Sequence, residues 1–223
     1  MENSPTLHRY IDHTLLKATA TEADITKLCE EAVKYRFFSV CVNGAWVSLA
    51  ARLLKKTPVA VCSVVGFPLG ASHTIPKMSE VSTALEDGAK EIDMVMNIGK
   101  LKSGKDEEVK TDIRMMKMLI DKKILKVIIE TCYLTDKEKV RACRIAVEAG
   151  ADFVKTATGF GPGGATVADI LLMKEAVNGQ ARIKASGGIK DAETAKRYIE
   201  LGVSRIGTSS GVAIVTGDAA TED

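Results

Sequence analysis

The feature that most restricts what this chain can become is a strict alternation of short apolar runs with longer helical stretches, punctuated by a repeated glycine joint. Asp87-Gly88-Ala89, Ala149-Gly150-Ala151 and Leu201-Gly202-Val203 each stand between the end of a helical pattern and the start of an apolar run. Glycine is the usual residue just past a helix C-terminus, where the backbone turns left-handed at little cost to it. The three joints therefore mark three helix-to-strand passages of one build. Apolar runs fall at residues 10–14, 37–42, 59–65, 91–96, 126–130, 152–157, 182–185 and 204–207. Their nearly unbroken Val/Ile/Leu character is that of parallel strands covered on both faces.

Helical patterns fill the intervals. Thr19-Ala20-Thr21-Glu22 reads as a capping box for a helix to about residue 35, and Thr135-Asp136-Lys137-Glu138 as a second one. Further helices are predicted through residues 46 and 54, and over 75–86, 105–122, 166–178 and 192–200, with a short one after 211. The charged 105–122 stretch is expected to be an amphipathic helix with a solvated outer face. No Pro/Ser-rich linker divides the chain, so one domain is expected over residues 1–223, with a short N-terminal tail and a frayed C-terminal tail. Eight βα units over this length predict an α/β fold, a single (β/α)8 TIM barrel, with a doubly wound open sheet as the alternative.

Composition narrows the function. The chain is 46% hydrophobic but 4% aromatic, so the core must be aliphatic. Net charge is +2 with no basic tract, which argues against a nucleic-acid partner. Five cysteines without a CxxC pair point to free thiols in a reducing compartment, hence a cytoplasmic location. Residues 1–10 hold no apolar signal core, and no long uncharged apolar run suggests a membrane span. The three histidines are not paired at metal-ligand spacing, so no metal is expected.

Charge inside the strands carries the chemistry. Asp12, Asp93, Glu130, Lys155 and Lys184 each interrupt an apolar run, and each is read as lying toward the C-terminal end of its strand, the face where barrel active sites gather. A single strand lysine would more often reach out to solvent. Five ionisable groups converging on one mouth are better explained as a polar site. Lys155 and Lys184 fall on consecutive strands, about 4.8 Å apart. Repulsion and burial are expected to leave one of them partly neutral, and so able to attack a carbonyl. Asp93 and Asp12 would supply proton-transfer groups or counter-charges, and Glu130 a structural ion-pair partner.

Glycine-rich turns follow the last three strands. Gly159, Gly161 and Gly164 fit a dinucleotide fingerprint by spacing, but the next strand offers Lys184 rather than a ribose-binding acid. Ser186-Gly187-Gly188-Ile189-Lys190 and Gly207-Thr208-Ser209-Ser210-Gly211 stand where such barrels bind phosphate. A phosphorylated ligand is expected.

With these residues in place the chain resembles the deoxyribose-phosphate aldolases, a class I family. The likeness runs through Ile11-Asp12-His13-Thr14-Leu15-Leu16, Glu91-Ile92-Asp93-Met94-Val95, Phe153-Val154-Lys155-Thr156-Ala157-Thr158-Gly159 and Ile183-Lys184-Ala185-Ser186-Gly187-Gly188-Ile189. The resemblance implies reversible aldol cleavage of 2-deoxy-D-ribose 5-phosphate to D-glyceraldehyde 3-phosphate and acetaldehyde. It implies Lys155 as the Schiff-base lysine, Lys184 as the neighbour that tunes it, Asp93 in the proton relay, and Asp12 and Thr14 near the substrate hydroxyls or an ordered water. Thr158, Gly159, Gly187, Gly188, Lys190, Gly207, Ser209 and Ser210 match the phosphate-holding region, and Cys41 a thiol near the pocket. No metal or organic cofactor is implied. The partners are small phosphosugars and aldehydes, with room for a homo-oligomer. Two departures stand out: Phe160 occupies a place where some members carry lysine, and the terminal residues 219–223 lack the tyrosine some members use as a proton shuttle. Another phosphosugar barrel enzyme, or a phosphosugar sensor without catalysis, would share the phosphate turns but would not need both strand lysines.

Overall fold

In the computed structural model, which describes residues 6–218, eight parallel strands close into a barrel in sequence order. They are β1 (Ile11–Leu15), β2 (Ser39–Val42), β3 (Ala60–Val65), β4 (Glu91–Val95), β5 (Ile124–Ile128), β6 (Phe153–Lys155), β7 (Arg182–Ser186) and β8 (Arg205–Thr208), with β8 pairing back onto β1. The helices are α1 (Glu22–Lys34), α2 (Val47–Leu54), α3 (Thr74–Glu86), α4 (Ile98–Lys102), α5 (Asp106–Ile120), α6 (Asp136–Glu148), α7 (Val167–Val177), α8 (Ala192–Glu200) and α9 (Gly211–Thr216). This is the single (β/α)8 TIM barrel, not an open sheet. The C-terminal residues 219–223, on which the missing tyrosine falls, and residues 1–5 lie outside the described residues.

The helices form for local reasons and dock for apolar ones. In α1, Ile25, Leu28, Cys29 and Ala32 recur at helical spacing and are buried against the strands. Its capping box is Thr21 with Asp24, two residues later than the expected Thr19–Glu22 pair, because Thr21 is the residue with extended backbone at the helix start. The Thr135–Glu138 box opens α6 as expected. Helix α5 is amphipathic as expected: beneath its solvated outer face it buries Val109, Ile113, Met116 and Ile120. It also buries Asp112, whose carboxylate meets the fully buried Lys77 of α3 at 2.7 Å. Pairing is what lets both charges sit under the helices.

Strand β5 begins two residues earlier than the 126–130 reading, and that slip matters. Lys126 lies inside the strand, in register with Asp93, while Glu130 falls in the loop beyond with a left-handed backbone (φ 51°). Alternation then directs Glu91 and Asp93, two apart on β4, to the same interior face.

Candidate active site

Every strand brings a titratable or cationic side chain to the barrel interior. Asp12 (β1), Cys41 (β2), Cys62 (β3), Glu91 and Asp93 (β4), Lys126 (β5), Lys155 (β6), Lys184 (β7) and Arg205 (β8) are all buried. Six of them close a ring of alternating charge. Arg205 meets Asp12 at 2.6 Å, Asp12 meets Lys184 at 2.5 Å, and Lys184 meets Asp93 at 2.9 Å. Asp93 meets Lys126 at 2.8 Å, Lys126 meets Glu91 at 2.6 Å, and Glu91 returns to Arg205 at 3.0 Å. Three cations and three carboxylates balance. Lys155 hangs from this ring, its ammonium 2.8 Å from the Asp93 oxygen that Lys184 also uses.

The electrostatics differ from the expectation of two crowded amines. Lys155 and Lys184 are indeed register partners on neighbouring strands. The Asp93 carboxylate stands between their ammonium groups, so attraction offsets their repulsion. Burial works against the charge on Lys184, yet Asp12 and Asp93 outweigh it and hold that amine above the ordinary lysine value. Lys126 behaves alike: burial opposes its charge, and Asp93 with its neighbours keeps it well above. Burial likewise penalises the Asp93 carboxylate, but Lys126, Lys155 and Lys184 keep it well below the usual range.

Depth also differs. Only Lys155, last in its strand, reaches the mouth. Asp12 is second in β1, Asp93 and Lys184 are mid-strand, and all three are fully buried beneath the cavity floor. Asp12 is tied to Ser39 as well, at 2.6 Å, so it braces the ring rather than lining the cavity. Room for Lys184 comes from Gly207, where a Cβ would stand 2.9 Å from its Cε.

A cavity of about 780 Å³ opens above this layer, walled by the loops that follow β1, β6, β7 and β8. Lys155 lies at its base, and Thr14, Thr158 and Gly159 form one part of the wall. Gly187, Gly188, Lys190, Gly207, Ser209 and Ser210 form another, so the turns singled out for phosphate share one space with Lys155. The turns are packed backbone to backbone: a Cβ on Gly164 would lie 2.2 Å from the Gly187 carbonyl oxygen. Thr208 fixes the last turn, donating to the Ile189 carbonyl at 2.7 Å and accepting from the Ser210 amide at 2.9 Å.

Glu130 is not an ion-pair partner of the strand lysines. Its carboxylate accepts from the Thr158 amide at 3.1 Å and from the Thr158 hydroxyl, and so anchors the loop after β6. Phe160 in that loop is half exposed on the cavity wall and meets Phe67 edge-on at 5.2 Å between ring centroids. Cys41 stays in the barrel wall, opposite Cys62 in register, and does not line the cavity. Burial pushes the Cys62 thiol well up, while its hydrogen bond to Cys41 holds the latter lower. The two sulfurs and an Asp93 oxygen lie within 4.8 Å of one another. Three ammonium groups already occupy Asp93 and would face any cation placed there, so this set does not suit a metal.

Glu91, Lys126 and Arg205 are ring members that strand-by-strand reading passed over. The glycine joints held a signal for two of them: Glu91 and Asp93 follow Gly88 by three and five residues, Lys155 follows Gly150 by five, and Arg205 follows Gly202 by three. His13 was also passed over. It lines the cavity and meets Glu31 of α1 at 2.8 Å.

The DeoC/LacD family aldolase model matches residues 6–217. A protein of Carboxydothermus hydrogenoformans named deoxyribose-phosphate aldolase is 56% identical over 227 residues, covering 100% of each chain. A Geobacillus protein of the same name is 54% identical over 224 residues, again with 100% of each covered. Among solved structures, the tetrameric deoxyribose phosphate aldolase from Aeropyrum pernix superposes with a TM-score of 0.88 at 32% identity, over 97% of this chain and 92% of that one. Among the described residues no helix is long and apolar enough to cross a membrane.

Proposed function

This chain belongs to the DeoC/LacD family of aldolases, and on that premise we propose that it cleaves 2-deoxy-D-ribose 5-phosphate reversibly to D-glyceraldehyde 3-phosphate and acetaldehyde through a Schiff base on Lys155. One observation carries the reading: of the amines in the buried ionic layer, Lys155 is the one that meets the cavity, and it shares that cavity with the glycine–serine turns. The neutral ring beneath leaves the Lys155 ammonium without a counter-charge of its own. Releasing that proton brings the whole layer from one surplus positive charge to balance.

The free amine attacks the C1 aldehyde of the open-chain sugar, and loss of water gives an imine. The protonated imine draws electrons as the C2–C3 bond breaks, the C3 hydroxyl gives its proton to a base through Asp93, and D-glyceraldehyde 3-phosphate is released. An enamine remains on Lys155, takes a proton at C2, and is hydrolysed to acetaldehyde and free lysine. Asp93 is too well paired to keep a proton. Its Oδ2 bridges Lys155 and Lys184 at 2.8 and 2.9 Å, which suits it to pass one along and to steady the charged imine. Thr14 and Thr158 are proposed beside the sugar hydroxyls, with Asp12 bracing Lys184 from below. The backbone at Gly187, Gly188, Gly207 and Ser209, with Ser210 and Lys190, is proposed to cradle the phosphate.

The five free thiols suit a reducing compartment such as the cytoplasm, and the tetrameric relative favours self-association of this chain as well. An assay for acetaldehyde released from deoxyribose 5-phosphate tests the reaction. The wild-type protein is expected to release it, and Lys155→Ala to lose at least about 10³-fold in turnover. Full activity in that variant would remove the reading.

A further inference from the structure

Arg205 performs no chemistry in the proposed reaction and does not line the cavity, yet it is bonded to two carboxylates of the ring. It is 3% exposed. Its guanidinium donates to Asp12 at 2.6 Å and to both oxygens of Glu91, at 3.0 and 3.3 Å. The Phe38 ring lies 3.2 Å beneath it, and Phe153 stands 5.7 Å away. A guanidinium cannot shed its proton in a protein, whereas every other cation of the ring is an amine that can. Arg205 is therefore the one fixed positive charge in the layer.

We propose that Arg205 is a positioning residue for the aldolase reaction: by closing the ring it keeps the six-membered charge pattern neutral and so makes Lys155 the amine that gives up its proton. This rests on the Schiff-base reading above and deepens it. Lys155 faces the carboxylate of Asp93, on which the amines of Lys126 and Lys184 and, within 4.8 Å, the thiols of Cys41 and Cys62 also converge, with Asp12, Glu91 and Arg205 behind them. With Arg205 in place, three carboxylates are matched by three cations, and Lys155 is surplus. Without it the layer holds three carboxylates and three amines. Lys155 then becomes a required counter-charge and keeps its proton to higher pH. Glu91 keeps its ion pair with Lys126, at 2.6 Å, when Arg205 is gone.

The sign of the effect separates this role from mere support of the fold. Arg205 and Lys155 stand two strands apart, roughly 10 Å. At an effective permittivity of about 20, one unit charge at that range moves a titration by about one pH unit. The readout is the pH midpoint for trapping the Lys155–acetaldehyde imine with cyanoborohydride, followed by mass spectrometry of the lysine peptide. Arg205→Met is expected to raise the midpoint by about one unit, and Glu91→Gln to lower it by a similar amount. The double variant returns it to the wild-type value, and Arg205→Lys leaves it in place even where its folding stability drops. A merely structural role would move the single variants in the same direction or neither. Either result overturns the proposal, as does an unshifted Glu91→Gln should Arg205→Met fail to fold. A wild-type protein that forms no adduct refutes the aldolase reading itself, and this inference falls with it.

Discussion

Replacing Asp93 by asparagine removes the one carboxylate that three ammonium groups share, at 2.8 Å from Lys126, 2.8 Å from Lys155 and 2.9 Å from Lys184. The amide keeps the shape but loses the charge, so the layer moves from one surplus positive charge to two. Stranding a buried charge in this way costs about 3–5 kcal/mol. An independent bound comes from letting one amine discharge instead: at pH 7 an ordinary lysine does so at a cost of about 4.6 kcal/mol, from an unperturbed value near 10.4. The two figures agree, so Asp93→Asn is expected to lose about 3–5 kcal/mol in urea unfolding at pH 7. Its deficit must also depend on pH. Without the carboxylate, the folded-state lysines titrate below their unfolded value, the unfolded chain binds more protons, and variant stability rises with pH by up to about 1.4 kcal/mol per unit. In the wild type the signs are reversed. Burial opposes the charges of Lys126 and Lys184, but the carboxylates win and hold both above the ordinary value. Their contribution is thus complete below about pH 10 and changes little from pH 7 to 9. A variant within about 1 kcal/mol of wild type at pH 7, or a deficit equal at pH 7 and 9, would refute the charge-sharing account.

Two further outcomes test the framework around the site. Lys77→Met strands the buried Asp112 carboxylate and is expected to cost about 3–5 kcal/mol in urea unfolding, whereas Lys77→Met combined with Asp112→Leu recovers to within about 1–2 kcal/mol of wild type. Phe160→Lys places a cation on the cavity wall, where the aromatic ring now stands half exposed. It is expected to lower KM for deoxyribose 5-phosphate roughly fivefold, about 1 kcal/mol, and to leave unphosphorylated deoxyribose unaffected; equal gains on both sugars would contradict a phosphate contact.

The barrel was legible because its signals are local. Each glycine joint and each apolar run spans a few residues, and together they fix eight βα units without knowledge of what packs on what. The glycine-rich turns after the last strands were legible for the same reason. Strand frame was less so. In β5 the most apolar stretch, Val127-Ile128-Ile129, lies toward and beyond the strand end, and centring on it slid the reading past Lys126 and onto Glu130. Half of the ring was legible, as Asp12, Asp93 and Lys184 with the aspartates as counter-charges; its closure through Glu91, Lys126 and Arg205 was not. Its bonds join residues as distant as Asp12 and Arg205, and the charge on each becomes tolerable only through partners on other strands. That is also why the expected repulsion between Lys155 and Lys184 gave way: the carboxylate that relieves it lies on β4, remote from both in the chain. The buried Asp112 shows the same limit on the amphipathic helix α5, where a charge on the inward side is not expected unless Lys77 is known to reach it.

The central claim is that the amine hanging from a charge-balanced ring is the group that bonds covalently to the aldehyde. Incubation with acetaldehyde, reduction with borohydride and peptide mass spectrometry test it directly. The expected result is an ethyl group on Lys155, with the deeper amines of Lys126 and Lys184 unmodified. Adduct on another lysine, or turnover of deoxyribose 5-phosphate with Lys155 left unmodified, would contradict it.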